Sequence, residues 1–230
     1  AVDGQHRRQI RGGPMPVTMI RTSAFLPLIL PHCPECPDFV AETQARLAAI
    51  EFCERSRAWR HLTTVPLVAS EGVLVAPEAA AIHEIEYARF NGRKLTPVQF
   101  STISTIAQGV PEYVTQVSPG AVTVSPFIEP GDLEVSLFLK PMASSEFGTL
   151  ADDPLADRFN VVPDFLVSVH GGAIALGALA RILSIPRQPW TDDINALKYE
   201  ARFNEKLGAS FRANMRGQQR APVRTSSRWF

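Results

Sequence analysis

From Pro37 to about Arg60 the segment PDFVAETQARLAAIEFCERSRAWR has no internal glycine or proline. Its small or apolar residues Ala41, Ala45, Ala48, Ala49, Phe52, Ser56 and Trp59 recur at the spacing of one helix face. The pattern predicts an amphipathic helix with Asp38 as N-cap and Glu42 early enough to complement the macrodipole. After His61 the hydrophobic period shortens from about 3.6 to about 2 residues, and turn signals follow at short intervals as far as Lys140. Strands are expected at 62–68, 73–75, 112–117 and 121–124. A hairpin is expected where EIEYARF is followed by Asn91 and Gly92 and then RKL, because Asn-Gly supplies the two positive φ angles of a type I′ turn. After a Pro130-Gly131-Asp132 turn, Leu133, Val135, Leu137 and Leu139 alternate with Glu134, Ser136, Phe138 and Lys140. Strands this short and this closely spaced make a small antiparallel sandwich or barrel.

Helical period returns beyond a polar connector at about 142–160. The segment PDFLVSVHGGAIALGALARILSIP opens on Pro163, which the first helical turn tolerates, and must end near Ile185 because Pro186 and Pro189 follow. Its glycines cost about 1 kcal/mol each relative to alanine, a cost that suggests close approach of another helix. A third helix is predicted after Trp190, with Thr191 as N-cap, Asp192 and Asp193 in the first turn, and an end near Met215 before Gly217. One helix before the strands and two after them imply a β region inserted into a helical unit. The expected class is α+β: a small helical bundle with an inserted antiparallel β-sandwich or barrel and extended terminal arms. The expected divisions are an N-terminal arm (1–36), a helical domain (37–60 plus 158–216), an inserted β domain with its connector (61–157) and a C-terminal arm (217–230).

The 230 residues carry 23 basic and 23 acidic side chains, and 45% are hydrophobic, a composition for one ordinary globular domain or two small ones. Zero formal charge excludes a generally basic nucleic-acid binder, yet the charge is unevenly spread. Residues 1–24 sum to +3, residues 211–230 to +5, and the rest to −8. Basic ends on an acidic body suit reaching out to a partner, although a merely solvated tail has the same composition. Arg212, Arg216, Arg220, Arg224 and Arg228 recur every four residues, and Trp229 and Phe230 follow them. Gly217 and Pro222 interrupt any continuous helix there. The longest uncharged helical stretch, Phe165 to Ala180, has 16 residues against the roughly 20 a membrane span needs. The arginines near the N-terminus are followed by no apolar run, as Pro14, Pro16 and Pro27 break it, so no secretory signal is expected. Three cysteines cannot build a disulfide scaffold, and the odd count fits reduced thiols inside a cell.

Candidate chemistry is sparse. Cys33-Pro34-Glu35-Cys36 is half of a tetrahedral zinc site or a thiol redox pair. Neither is completed: the third cysteine, Cys53, lies inside the first helix, and no second C-x-x-C exists. A proline-rich turn carrying two partly buried thiols accounts for the motif. The nucleophile elbow, the phosphate loop and the dinucleotide fingerprint are all missing from the sequence. His170 reads as a core or interface residue, and His61 and His83 sit beside strand patterns with no carboxylate that the sequence forces upon them. The pairs Asp152–Asp153 and Asp192–Asp193 read as loop and cap residues rather than as an acid and base. No catalytic residue, metal site or cofactor is expected.

The strings AAIEFCERSRAW, the Asn91-Gly92 hairpin, GDLEVSLFLKP, and PDFL…GGAIALGALARILSIPRQPW…KYEARFNEKLG occur in this order over about residues 30–212. In that order they resemble the head-to-tail adaptor (connector) proteins of tailed bacteriophages. The resemblance implies a virion protein that forms a homo-oligomeric ring, usually a dodecamer, beneath the portal vertex. It also implies contacts with the portal protein and with a tail or nozzle protein, and a central channel that passes genomic DNA without sequence specificity. The residues are compatible with what the resemblance implies, for separate reasons. Small-residue helix faces suit subunit packing, and a heterologous contact that closes by rotation makes a ring. An acidic body repels the phosphates of a passing duplex. Arg212, Arg216, Arg220, Arg224, Arg228, Trp229 and Phe230 are the expected partner-binding residues, touching the portal or a neighbouring subunit. The alternatives are a tail completion or tail tube protein, which favours a hexameric ring, a DNA-binding module, and a thiol- or zinc-dependent enzyme.

Overall fold

The computed structural model describes residues 17–104, 107–127, 129–142 and 160–215. It is α+β. A short ribbon pairs β1 (Met19–Arg21) with β9 (Val161–Pro163), antiparallel, with Met19 opposite Pro163. Between β1 and the first long helix lie a 3-10 turn (Thr22–Phe25), the single-turn α1 (Leu26–Ile29) and a second 3-10 turn (Leu30–His32). The expectation of an arm over 1–36 is corrected here, since Phe25 and Ile29 are fully buried and Cys33 and Cys36 nearly so. Apolar burial of this kind stabilises by roughly 1.5–3 kcal/mol for each large side chain, and it makes residues 19–36 part of the helical layer.

Helix α2 (Asp38–Ser56) buries Ala41, Ala45, Ala48, Ala49, Phe52 and Ser56, the face read from the sequence. Both ends differ from expectation. Pro37 occupies the N-cap and Asp38 is the first helical residue, where its charge complements the macrodipole without capping. The helix stops at Ser56 because Arg57 adopts a left-handed conformation (φ 53°) and its N–H bonds the Cys53 carbonyl. That position favours glycine, so an arginine gives no stop signal. Trp59 is therefore not helical, but it is buried all the same, packed edge-on against Phe165.

Among the described residues the β region has seven strands: β2 (Arg60–Leu67), β3 (Val73–Leu74), β4 (Ala80–Phe90), β5 (Arg93–Pro97), β6 (Tyr113–Ser118), β7 (Ala121–Ser125) and β8 (Gly131–Pro141). Their order is β2-β8-β4-β5-β6-β7-β3. The two edges approach each other, so the sheet is a nearly closed barrel, and the His61 ring hydrogen-bonds the Val75 backbone across the seam. Every pair is antiparallel except β5 with β6, which run parallel and make the barrel mixed rather than wholly antiparallel. The segment between them is long enough to return the chain to the starting end. The Asn91-Gly92 hairpin has the expected positive φ values of 49° and 81°. It is locked to the next turn, since Asn91 N donates to Asp132 O and Asp132 N donates to Asn91 Oδ1, both at 2.9 Å. A Cβ on Gly131 would collide with the Asn91 side chain, so any other residue in the Pro-Gly-Asp turn would push Asn91 off the position that accepts from Asp132 N.

Strand β8 carries the core residues Leu133, Val135, Leu137 and Leu139, all fully buried. Its opposite face is not solvated as the alternation implies. Ser136 and Phe138 are buried, Ser136 Oγ donates to Glu86 Oε2 at 2.7 Å, and the guanidinium groups of Arg57 and Arg60 cover the Phe138 ring. Helix α2 packs on β8, where Lys140 Nζ meets Glu54 Oε1 at 2.6 Å.

The second helical segment is two helices, α3 (Asp164–Ser168) and α4 (Gly171–Leu183), broken at Val169 and His170. Next comes α5 (Asp193–Met215). Its N-cap is Asp192 rather than Thr191: Asp192 Oδ1 accepts from Asn195 N at 3.0 Å. Thr191 Oγ1 instead ties the preceding turn, donating to Ile185 O and accepting from Gln188 N. Helices α2, α4 and α5 pack together, and α4 with α5 is the closest pairing. A Cβ on Gly177 would lie 2.9 Å from the Phe203 ring and one on Gly171 3.0 Å from Leu28, so these two glycines serve the close approach. Gly172 has open space and does not.

Candidate partner-docking surface

Of the predicted partner-binding residues, the structure places Arg212 in the last turn of α5, exposed, with Nε donating to the Gly208 carbonyl at 3.0 Å. Arg216, Arg220, Arg224, Arg228, Trp229 and Phe230 lie outside the described residues.

The C-terminal end of α5 is fixed at the junction of helices and barrel. Asn214 Nδ2 donates to the Ser56 carbonyl at 2.8 Å, joining the last turn of α5 to the last turn of α2. Arg57 stands between two rings, 5.5 Å from the centre of Phe138 and 5.7 Å from that of Phe211, and meets Glu84 at 2.7 Å. Arg60 lies over Phe138 and meets Glu86 at 2.8 Å. Each cation–π contact contributes about 0.5–1 kcal/mol at such exposed sites. This cluster, which fixes the last described turn of α5, was not legible in the sequence, because its members are scattered over more than 150 positions.

A groove of about 490 Å³ runs between α4 and α5. Its walls carry Glu51 from α2, Arg181 from α4, and Asp193, Leu197, Glu200 and Asn204 from α5. Glu51 accepts from Arg55 at 2.6 Å and from Arg181. Burial alone would raise its pKa, but the bonds and charges of the two arginines outweigh it and hold the carboxyl below the usual range. Several large apolar side chains of the helical layer face outward. Ile194 is 70% exposed, Leu197 68%, Phe39 72% and Val169 70%. The sequence hinted at Ile194 and Leu197, whose spacing puts them off the line of buried Ala196, Phe203 and Leu207.

The remaining candidates for chemistry do not converge. Cys33, Cys36 and Cys53 are buried free thiols. Burial pushes the Cys33 thiol up, with partial relief from the Cys36 hydrogen bond. Burial, with the neighbouring Cys33, pushes Cys36 up to about 11, and burial raises Cys53 further. Raised values leave little of the thiolate that redox exchange needs. Among the described residues no cluster of three or more His, Cys, Asp or Glu side chains could hold a metal ion. His170 precedes α4 and lies 4.8 Å from Phe52 and 6.3 Å from Phe165, ring centre to ring centre, and burial lowers its pKa. His61 closes the barrel seam and His83 is exposed. Asp192 is a helix cap, with Asp193 in the turn it caps, while Asp152 and Asp153 lie outside the described residues. Among the described residues no helix is long and apolar enough to cross a membrane.

What the described surface offers is a charged groove with an apolar floor, outward-facing apolar side chains, and an end of α5 fixed against α2 and the barrel. No family model matches the chain and no curated protein matches it, so this surface has to be interpreted from its own chemistry.

Proposed function

We propose that the chain is a virion structural protein, a subunit of an adaptor ring that joins the portal vertex of a tailed bacteriophage to its tail and forms part of the DNA channel. One observation carries the reading. Ile194 and Leu197, neighbours one helical turn apart on α5, are 70% and 68% exposed beside the groove that Leu197 lines, and adjacent large apolar side chains left in water mark a face that meets another subunit. The resemblance over residues 30–212 supplies the identity of the assembly. The acidic body, −8 outside the two basic ends, suits a conduit that DNA traverses without adhering. The basic C-terminal segment, starting from the anchored end of α5, suits attachment to a neighbouring copy or to the portal. No catalytic residue or cofactor belongs to this reading.

The test is the mass of the native particle, alone and with a portal, by native mass spectrometry and negative-stain imaging. A dodecameric ring, formed alone or on the portal, is the expected result. Deleting residues 217–230 is expected to weaken portal attachment, and unchanged co-assembly rejects that role for the segment. A hexamer that binds tail components and ignores the portal favours a tail completion or tube protein. Tight DNA binding that falls steeply with added salt favours a DNA-binding module. A monomer indifferent to every virion component overturns the proposal.

A further inference from the structure

The α4–α5 groove has a wall of one charge sign. Asp193, Leu197, Glu200 and Asn204 follow one another at helical intervals along the flank of α5 that faces α4. The cations Lys198, Arg202 and Lys206 share a different flank of the same helix. Glu51 in the groove is held by Arg55 and Arg181, but no basic side chain pairs with Asp193 or Glu200 among the described residues. Both carboxylates are exposed. Between them Leu197 stands 68% exposed, above a floor that includes Ala180 and the edge of Phe203. The groove therefore offers two unengaged carboxylates about two helical turns apart and an apolar seat between them.

A segment of the same chain has the complementary chemistry. Residues 216–230 carry Arg216, Arg220, Arg224 and Arg228, no acid, and the adjacent aromatics Trp229 and Phe230. We propose that the groove between α4 and α5 receives residues 216–230 of a neighbouring copy of this chain, with arginines on Asp193 and Glu200 and an aromatic ring against Leu197. Arginine pairs with carboxylates through two parallel hydrogen bonds, which gives both strength and register. An aromatic ring set in an apolar seat is the commonest kind of interface anchor. Fifteen residues span up to roughly 50 Å when extended, several times the roughly 10–12 Å width of a helix, which lets the segment cross to a copy packed alongside. Each copy has one groove and one segment, so giving to one neighbour and receiving from the other is a heterologous contact of the kind that closes into a ring. The inference rests on the adaptor reading only in requiring that copies of the chain meet.

The test uses the full chain with Trp229 replaced by the photo-crosslinker p-benzoylphenylalanine. Copies grown in heavy nitrogen are mixed with unlabelled copies, irradiated, and mapped by mass spectrometry. The expected products join heavy to light chains at peptides from residues 177–204. Asp193→Lys with Glu200→Lys should lower that yield by about tenfold, and Arg224→Glu with Arg228→Glu in the partner copy should restore it. Circular dichroism confirms that each variant is folded, as exposed positions allow. Products within single copies only, products on another face, or a yield indifferent to charge reversal overturn the inference. Portal co-assembly of the crosslinker-bearing chain with no other substitution separates the two proposals. Portal binding without products between copies at residues 177–204 refutes the groove assignment alone, and those products without portal binding refute the adaptor reading alone.

Discussion

Gly177 offers the sharpest test of how the helical layer is held. A Cβ built there meets three atoms of the Phe203 ring at 2.9 to 3.0 Å, closer than carbon atoms pack, and Phe203 is itself only 3% exposed, so the ring or the spacing of α4 and α5 must shift to admit it. Gly208, in α5, is helical too, and a Cβ there meets nothing within 4 Å. The two glycines thus share a backbone conformation and differ in what surrounds them. Alanine at either site gains about 1 kcal/mol of helix propensity. At Gly177 the same methyl must also displace the Phe203 ring or widen the contact of α4 with α5, at a cost of about 1–3 kcal/mol. Gly208→Ala should therefore stabilise the protein, and Gly177→Ala should be the less stable of the two by the overpacking cost. For a chain of this size that gap corresponds to about 2–12 °C in melting temperature. Urea and thermal unfolding of both variants at one fixed protein concentration measure it, since self-association would otherwise move the midpoints. Combining Gly177→Ala with Phe203→Leu should recover part of the loss, giving a coupling that a double-mutant cycle reads directly. Equal stabilisation by the two alanines, or strict additivity in the cycle, would refute the claim that Gly177 exists for Phe203.

Other outcomes follow from the same coordinates. Burial lowers the pKa of both His170 and His61. Below the unfolded value of about 6.5 the unfolded chain takes up protons first, so the urea midpoint should fall between pH 7 and pH 5, with a shallower slope in His170→Gln. An unaltered slope in that variant would show that His170 is not held neutral. Asp192 has its pKa lowered by the hydrogen bonds from Asn195, so its cap stabilises above the unfolded carboxylate value and fades as pH falls through the lower folded one. Asp192→Asn should keep the cap and lose that pH dependence, whereas Asp192→Ala should lose both, as read by unfolding between pH 2 and pH 5. With Cys36 at about 11, only about one thiol in a thousand is ionised at pH 8. Folded protein should therefore react slowly with iodoacetamide and release three thiols on denaturation, and a fast-reacting pair would revive the thiol-enzyme reading.

Where a local rule governs, the residues announced the element. Alanines at helical spacing located α2, Asn91-Gly92 located the hairpin with both positive φ angles, and alternating leucines and valine located β8. Where an element's limit depends on a distant partner, they did not. Arg57 ends α2 in a left-handed conformation that nothing in its residue type signals, and the Glu84, Phe138 and Phe211 groups around it come from three other elements. The chain breaks at His170 between α3 and α4 although the apolar run continues, and the His170 ring there packs on Phe52 from α2. Residues 19–36, proline-rich and read as an arm, are drawn into the helical layer by Phe25 and Ile29. Their three-residue strand β1 is too short to show a period and exists only because Val161–Pro163 pairs with it.

The candidate surface divides along the same line. Composition alone revealed that charge is segregated, with an acidic body and basic ends, because charge is a property of residue type and survives any folding. It revealed equally that glycines in the fourth helix implied a close neighbour. Which neighbour, and that Asp193, Leu197 and Glu200 would flank a groove completed by Glu51 and Arg181, was decided only when α2, α4 and α5 packed together. Those residues are up to some 150 positions apart. Helical and strand periodicities constrain a side chain relative to its own axis, but they are silent on the angle and distance at which two axes meet, and that is where a groove comes from.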